Sequence, residues 1–281
     1  MAETWQGPPG PDLPSLTWRG WVRVIRRGLP LGILVFGGLV ILIVLRLIER
    51  PIYGAARPLT PYITQFVCRG AFVILGIRYQ TIGAPMPFAG AVVANHSSWL
   101  DIFALNARKR IYFVAKSEVA GWPGIGWLAR ATGTIFVKRD RREAAAQIAT
   151  FKTRLAAGHK LLFFPEGTST DGMQVLPFKT TLFAAFFDPE LAPHMHLQAV
   201  TLIYQAAAGE DPRFYGWWGD MEFGPHLLAT LAAERQGDVI VHYHDPVKLT
   251  QFADRKALAS HLEVQVRSGL AAHRGMERLQ G

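Results

Sequence analysis

Residues 95–101 read Asn-His-Ser-Ser-Trp-Leu-Asp and follow a short apolar run at 91–94. Imidazole is the side chain best matched to general-base work near neutral pH, and a carboxylate can fix its tautomer and stabilise its protonated form. His96 and Asp101 stand five residues apart. Inside one regular helix, that spacing points two side chains about 140° away from each other. The pair therefore meets only if His96 precedes the helix that carries Asp101. Ser97 and Ser98 are good N-cap residues for such a helix. Taken alone, the segment also suits a plain helix start with a histidine and an aspartate beside it.

Two further clusters carry polar chemistry. Residues 138–142 read Lys-Arg-Asp-Arg-Arg after the apolar run 134–137. Cations at a strand end can clamp a phosphate, and arginine does so with two parallel bonds. The plainer reading is a solvated basic face at a helix start. Residues 163–168 read Phe-Phe-Pro-Glu-Gly-Thr after another apolar run. A Pro-Glu-Gly step makes a tight turn. Such a turn is expected to expose Glu166, with the Gly167 and Thr168 amides, at the mouth of a site, where they could hold a polar headgroup or an oxyanion. His242 and His244 alternate on a strand pattern and share a face, yet no cysteine or carboxylate stands at ligand spacing from them, so metal binding is not expected. Tyr215, Trp217 and Trp218 suit an interfacial cluster and a core equally. There is no glycine-rich phosphate loop, Gly-x-Ser-x-Gly elbow or zinc-finger spacing.

These residues need a scaffold. The 281 residues are half hydrophobic and carry a formal net charge of +9. A basic balance attracts nucleic acid, anionic lipid or phosphorylated substrates without choosing among them. The single cysteine, Cys68, excludes an intrachain disulfide. Eight tryptophans and 17 phenylalanines lean toward a lipid interface. Residues 1–14 are rich in proline and glycine and read as a loose tail. Residues 29–45 lack any charge. As a helix they span about 25 Å, close to the hydrocarbon thickness of a bilayer. A cleaved signal peptide fits poorly, because the run starts late and Arg46, Glu49 and Arg50 follow it with no small-residue cleavage site. A second apolar stretch, 62–79, carries Arg69 near its middle and suits an interfacial helix better than a second span. The two stretches predict a helical hairpin, embedded in the membrane or lying at its interface, within an N-terminal region 1–77.

From residue 78 to 281 the texture alternates. Strands are expected at 91–94, 111–115, 134–137, 160–164, 197–204 and 238–242, and helices at 99–108, 141–157, 180–187 and 255–272. Alternation of this kind predicts an α/β domain with a mixed sheet flanked by helices.

In one chain, in this order, the clusters gain meaning. His96-x4-Asp101 is followed by Ile135-Phe136-Val137-Lys138-Arg139-x2-Arg142, then by Phe164-Pro165-Glu166-Gly167-Thr168, and then by an apolar strand at 199–204. The series, over roughly residues 78–247, resembles the glycerolipid acyltransferase family, and within it the bacterial 1-acyl-glycerol-3-phosphate acyltransferases. The resemblance implies that His96 is the base that takes the acceptor's hydroxyl proton and that Asp101 orients it. The hydroxyl then attacks a thioester carbonyl directly, with no acyl-enzyme. It implies that Lys138, Arg139 and Arg142 bind the acceptor's phosphate and that Glu166, Gly167 and Thr168 form the acceptor-site turn. It also implies an N-terminal helical pair at the membrane.

Two positions depart from the family pattern. Ser169 stands where an arginine often follows Pro-Glu-Gly-Thr, and Ala199 where a proline often precedes the valine. The missing arginine leaves room for a phosphate-free acceptor, lyso-ornithine lipid. Lys179 is the candidate replacement for the lost charge. The expected activity is thus acyl transfer from acyl-CoA or acyl carrier protein to 1-acyl-glycerol-3-phosphate, giving phosphatidate, with lyso-ornithine lipid as the alternative acceptor. No cofactor, metal or nucleic acid is expected. A basic protein that only binds membranes or nucleic acid would not need the histidine–carboxylate pair. The expected location is the inner (cytoplasmic) membrane, with the active site facing the cytosol.

Overall fold

The computed structural model describes residues 4–12, 16–88, 90–138, 142 and 144–280, with backbone alone at 144 and 275–280. The uncharged run lies inside one long helix, α1 (Trp18–Tyr53). Thr17 caps its start, the hydroxyl accepting from the Gly20 amide at 3.2 Å. At its far end the Gly54 amide returns to the Arg50 carbonyl at 2.9 Å. The second apolar stretch forms α2 (Thr60–Leu75), with Pro61 in its first turn. Glu49 joins the two helices: its carboxylate accepts from the Leu59 and Thr60 amides at 2.7 and 3.2 Å. A negative charge there satisfies the open amides and the positive dipole end of α2. The helices approach closely at Gly70, where a Cβ would come within 2.7 Å of Leu34. Arg69 is exposed on α2 and tethered to the sheet domain, its Nε donating to the Ala107 carbonyl at 2.6 Å.

The sheet has eight strands. In chain order they are β1 (Arg78–Ile82), β2 (Gly90–Ala94), β3 (Tyr112–Lys116), β4 (Ile135–Val137), β5 (Lys160–Phe163), β6 (His196–Gln205), β7 (Asp238–Tyr243) and β8 (Val247–Lys248). Their order across the sheet is β1-β7-β6-β2-β5-β3-β4, with β8 also on β6. Strands β6, β2, β5, β3 and β4 run parallel, while β7 and β8 are antiparallel to β6, so the sheet is mixed as expected. The helices between and after the strands are α3 (Asp101–Arg108), α4 (Ile125–Thr132), α5 (Ala144–Ala156), α6 (Phe223–Ala232) and α7 (Arg255–Gln280).

Alternation along the strands divides the core in two. Val92, Ala94, Leu162, Val200 and Leu202 face one cluster with Leu100, Leu105, Phe72 and Leu75. Ala91, Val93, Leu161, Ala199 and Ile203 face the other, with Phe151, Phe183, Phe186, Leu258 and Leu262. The first cluster also takes Val24 and Leu31 from α1, so the N-terminal helices pack on the sheet domain.

Four expectations need correction. The helix expected at 99–108 begins only at Asp101. Residues Thr180–Phe187 form a 3-10 helix instead of an α-helix. The tail at 4–12 is tied down: Trp5 N donates to Thr168 Oγ1 at 3.3 Å, and the Pro8 and Pro9 carbonyls accept from Trp218 and Arg213 at 3.1 and 3.0 Å. Strands β1 and β8 and helices α4 and α6 were not foreseen. β1 is an edge strand with no buried residue, so it lacks an apolar run.

Candidate active site

The site grows from the C-terminal end of β2, at the middle of the sheet. Asn95 continues the strand by side chain. Its Oδ1 accepts from the Leu202 amide at 2.8 Å and its Nδ2 donates to the Leu202 carbonyl at 2.9 Å. This fully buried amide fixes the backbone immediately before His96. His96 therefore precedes α3, as the spacing requires. Its Nδ1 lies 2.7 Å from Asp101 Oδ2.

Asp101 is fully buried and surrounded by donors. Oδ2 accepts from the Ser97 and Ser98 amides at 2.8 and 3.1 Å as well as facing His96, and Oδ1 accepts from the Tyr204 hydroxyl at 2.8 Å. Four donors on one carboxylate suit its ionised, acceptor-only form. The capping role expected of Ser97 and Ser98 is met in part: the Ser98 hydroxyl accepts from the Leu100 amide at 3.3 Å just before α3, while Leu100, the residue immediately before the helix, offers no side-chain cap and Asp101 accepts from the Ser97 and Ser98 amides. Tyr204 was missed by sequence reasoning because it lies on β6, 103 residues away. Burial and the Asp101 charge hold its phenol well above the ordinary range.

His96 stacks on Phe164, with ring centroids 4.0 Å apart and planes at 11°. Nδ1 is committed to Asp101, and the imidazole keeps 22 % of its side-chain surface exposed. Nε2 makes no hydrogen bond among the described residues and is the nitrogen left for a substrate proton.

Glu166 departs from expectation. It is 1 % exposed instead of standing at a mouth. Oε1 accepts from the His96 amide at 2.7 Å and Oε2 from the Leu176 amide at 2.7 Å. Burial pushes its carboxyl up to about 8, against the pull of those two bonds. Glu166 therefore positions the His96 backbone and the 170–176 segment, and a headgroup cannot reach it. The Gly167 amide is also spent, closing the turn onto the Phe164 carbonyl at 3.0 Å. Gly167 has φ +73°, a left-handed conformation that glycine adopts without strain. Thr168 is half-buried and accepts from Trp5. Lys179 is half-buried beside the turn, its amide donating to the Pro165 carbonyl at 2.9 Å.

Lys138 follows β4 at the same sheet edge as His96, because β2, β5, β3 and β4 are parallel. Lys138 and Arg142 are exposed. Arg139 lies outside the described residues. Tyr215 and Trp218 are buried, so two of the three aromatic candidates belong to the core. The Trp217 amide donates to the Ser97 carbonyl at 2.8 Å, which ties its loop to the site. Edge-on ring contacts link Trp122 to Trp217, Trp217 to Phe223 and Phe223 to Trp99, a wall of rings beside the histidine motif. His242 and His244 stack at 4.3 Å, and His244 Nε2 meets Thr201 Oγ1 at 2.8 Å. No metal-holding group occurs among the described residues.

Comparison with known proteins places this arrangement. The profile of the Acyltransferase family matches residues 89–200. The lyso-ornithine lipid O-acyltransferase of Rhodobacter capsulatus is 55 % identical over 268 residues, 95 % of this chain and 96 % of that protein. The 1-acyl-sn-glycerol-3-phosphate acyltransferase of Neisseria gonorrhoeae is 38 % identical over 208 residues, 72 % of this chain and 78 % of that protein. The crystal structure of the 1-acyl-sn-glycerophosphate (LPA) acyltransferase from Thermotoga maritima superposes with a TM-score of 0.63, covering 91 % of this chain and 96 % of that one, at 21 % identity, which speaks for the fold. The chain belongs to the acyltransferase family.

Proposed function

We propose that the chain transfers a fatty acyl group from an acyl thioester to the hydroxyl of lyso-ornithine lipid. The observation that carries the chemistry is the 2.7 Å contact of His96 Nδ1 with the buried Asp101. His96 Nε2 takes the proton of the acceptor hydroxyl as its oxygen attacks the thioester carbonyl. Collapse of the tetrahedral intermediate forms the ester and expels the thiolate, which recovers the proton from His96. Asp101 holds the ring in the reactive tautomer and offsets the imidazolium charge. The rings around Trp99 and Trp217 supply an apolar wall for an acyl chain.

The acceptor assignment rests on the Rhodobacter capsulatus relative, matched along nearly the whole chain, and on Ser169 at a position where an arginine would favour a phosphate. Lysophosphatidate is the second reading. The Neisseria gonorrhoeae relative and the exposed Lys138 and Arg142 at the His96 edge favour it. The proposal includes a donor carried on coenzyme A or acyl carrier protein and a site on the cytosolic side of the inner membrane, where such donors are found. Exposed Leu29, Ile33, Phe36 and Val40 on α1 and Phe66 and Val73 on α2 support membrane attachment.

The test is purified protein with a labelled acyl thioester and both lysolipids in direct competition. Preferential labelling of ornithine lipid is expected. Transfer to lysophosphatidate alone would replace the acceptor and leave the base and carboxylate in place. Transfer to neither would remove the reading.

A further inference from the structure

Two loops hold the backbone of the histidine motif. In the loop after β5, the Thr170 amide donates to the His96 carbonyl at 2.9 Å. In the loop before α6, the Trp217 amide donates to the Ser97 carbonyl at 2.8 Å. The loops also meet each other. A Cβ on Gly216 would come within 2.9 Å of the Asp171 carbonyl oxygen, and one on Gly172 within 3.2 Å of Ser97. Neither loop is held by a strand ladder, so both can open locally at less cost than the sheet.

The N-terminal tail crosses both loops. On one, the Trp5 amide donates to Thr168 Oγ1 at 3.3 Å, in the Pro-Glu-Gly-Thr turn. On the other, the Trp5 ring lies 6.2 Å from the buried Trp218 ring. The Pro8 carbonyl accepts from Trp218 Nε1 at 3.1 Å and the Pro9 carbonyl from Arg213 at 3.0 Å. Glycines let the chain pass. Gly7, at φ +54°, folds so tightly over Trp5 that a Cβ would come within 2.4 Å of the indole. Gly219, at φ +59°, leaves 3.3 Å between its missing Cβ and the Gln6 carbonyl oxygen.

The sequence suits a segment that lies down. Residues 8–11 are Pro-Pro-Gly-Pro, and a proline's fixed φ reduces the backbone entropy lost on ordering. Beyond the tail, α1 is itself fixed, because Arg23 and Arg27 donate to the Ala232 and Leu231 carbonyls at 2.6 and 2.9 Å. The segment is thus tied to the two loops at one end and to α6 at the other.

We propose that the tail is a strap for the acceptor side of the site, with Trp5 as its positioning residue. It holds the Thr168 turn and the Trp217 loop at the spacing that the acceptor's headgroup needs. This inference rests on acyl transfer to a lysolipid and on residues 166–168 as the acceptor-site turn. Trp5 acts through Thr168 and Trp218 and not on the reacting atoms. The His96–Asp101 pair is held independently, by Asn95 before it and Tyr204 behind it. Loosening the strap therefore weakens acceptor binding and spares the chemical step.

The experiment uses the full chain in detergent, with Trp5→Ala, Trp5→Phe and Trp18→Ala, the last an exposed control outside the tail. Steady-state kinetics use an acyl thioester with lyso-ornithine lipid and, separately, lysophosphatidate. Hydrogen exchange follows the Thr170 and Trp217 amides, with those of β6 as the reference for global folding. In Trp5→Ala, both loop amides should exchange about tenfold faster and the acceptor KM should rise about tenfold, the scale of one lost aromatic pair. Donor KM, kcat and β6 exchange should stay at wild-type values. Trp5→Phe should recover most of the loss, and Trp18→Ala should match wild type. Unchanged exchange in both loops overturns the strap. So do equal effects in Trp18→Ala, or faster exchange that extends to β6. Loosened loops with an unchanged acceptor KM, or with a fall in kcat alone, overturn the acceptor role. A rise in turnover would make the tail an inhibitory cover and also overturns it. Wild type that transfers to neither lysolipid removes the acyl-transfer reading and the acceptor role with it, while exchange still decides whether Trp5 holds the loops.

Discussion

His96 can act as a base only while its ring is held and its Nε2 is free. His96→Ala should therefore lower turnover by about 10²–10⁴-fold, the usual cost of losing a general base, with circular dichroism and membrane binding unchanged. Near-normal turnover would remove the mechanism. Asp101→Asn should be as severe. The amide cannot offset an imidazolium, and its nitrogen would be forced against a donor, since both Asp101 oxygens already accept hydrogen bonds. Tyr204→Phe tests the same carboxylate from behind. It removes one hydroxyl from a buried charge, so kcat should fall about tenfold, the scale of a hydrogen bond to a charged group, with little change in either KM. Glu166 adds a pH signature. Its folded-state value, about 8, lies above the ordinary carboxylic range. The unfolded chain therefore loses this proton first as pH rises. The stability contribution is full at acid pH and is lost as pH climbs toward about 8. Glu166→Gln should flatten that part of the stability-against-pH curve, measured by chemical denaturation at several pH values. An unchanged slope would mean that Glu166 is ionised throughout.

At the scale of the element, the turn after β5 shows how much the chain disclosed in advance. Pro-Glu-Gly announced a tight turn, and Gly167 takes the left-handed conformation such a turn needs. Gly167→Ala should cost about 1–2 kcal/mol, the penalty of a side chain in that region, and should slow turnover by disturbing the Glu166 contact with His96. Unaltered denaturation would show that the turn relaxes freely. Local pattern could place the turn but could not say which way its side chain pointed. Inward or outward is decided by the His96 and Leu176 amides, 70 and 10 residues away. The same limit applies to Tyr204. Its strand was legible as an apolar run, while its hydroxyl's partner depended on β6 lying beside β2. The helical hairpin, the mixed sheet and the His96–Asp101 pair were legible because each rests on local periodicity or short spacing. β1 and α6 were not: β1 has no buried face, and no capping side chain marks the start of α6.

The whole molecule bears on how α1 can meet a bilayer. Its 36 residues make a helix of about 54 Å, far longer than the roughly 30 Å of hydrocarbon. A spanning helix would leave the domain at one end. Here both ends stay on it. Near the start, Arg27 donates to the Leu231 and Ala233 carbonyls at the end of α6, at 2.9 and 2.6 Å. Just past the end, Arg57 donates to the Ala131 carbonyl in α4. Since α4 and α6 belong to one sheet domain, α1 is expected to lie in the plane of one leaflet with Ile33, Phe36 and Val40 outward. The measurement is labelling of single cysteines by a membrane-impermeant reagent in sealed vesicles, on a Cys68→Ser background. Trp18→Cys and Tyr53→Cys, both exposed and at the two ends of the helix, should be labelled from the same side. Labelling from opposite sides would show that α1 crosses, and would require the contacts with α4 or α6 to break in the membrane.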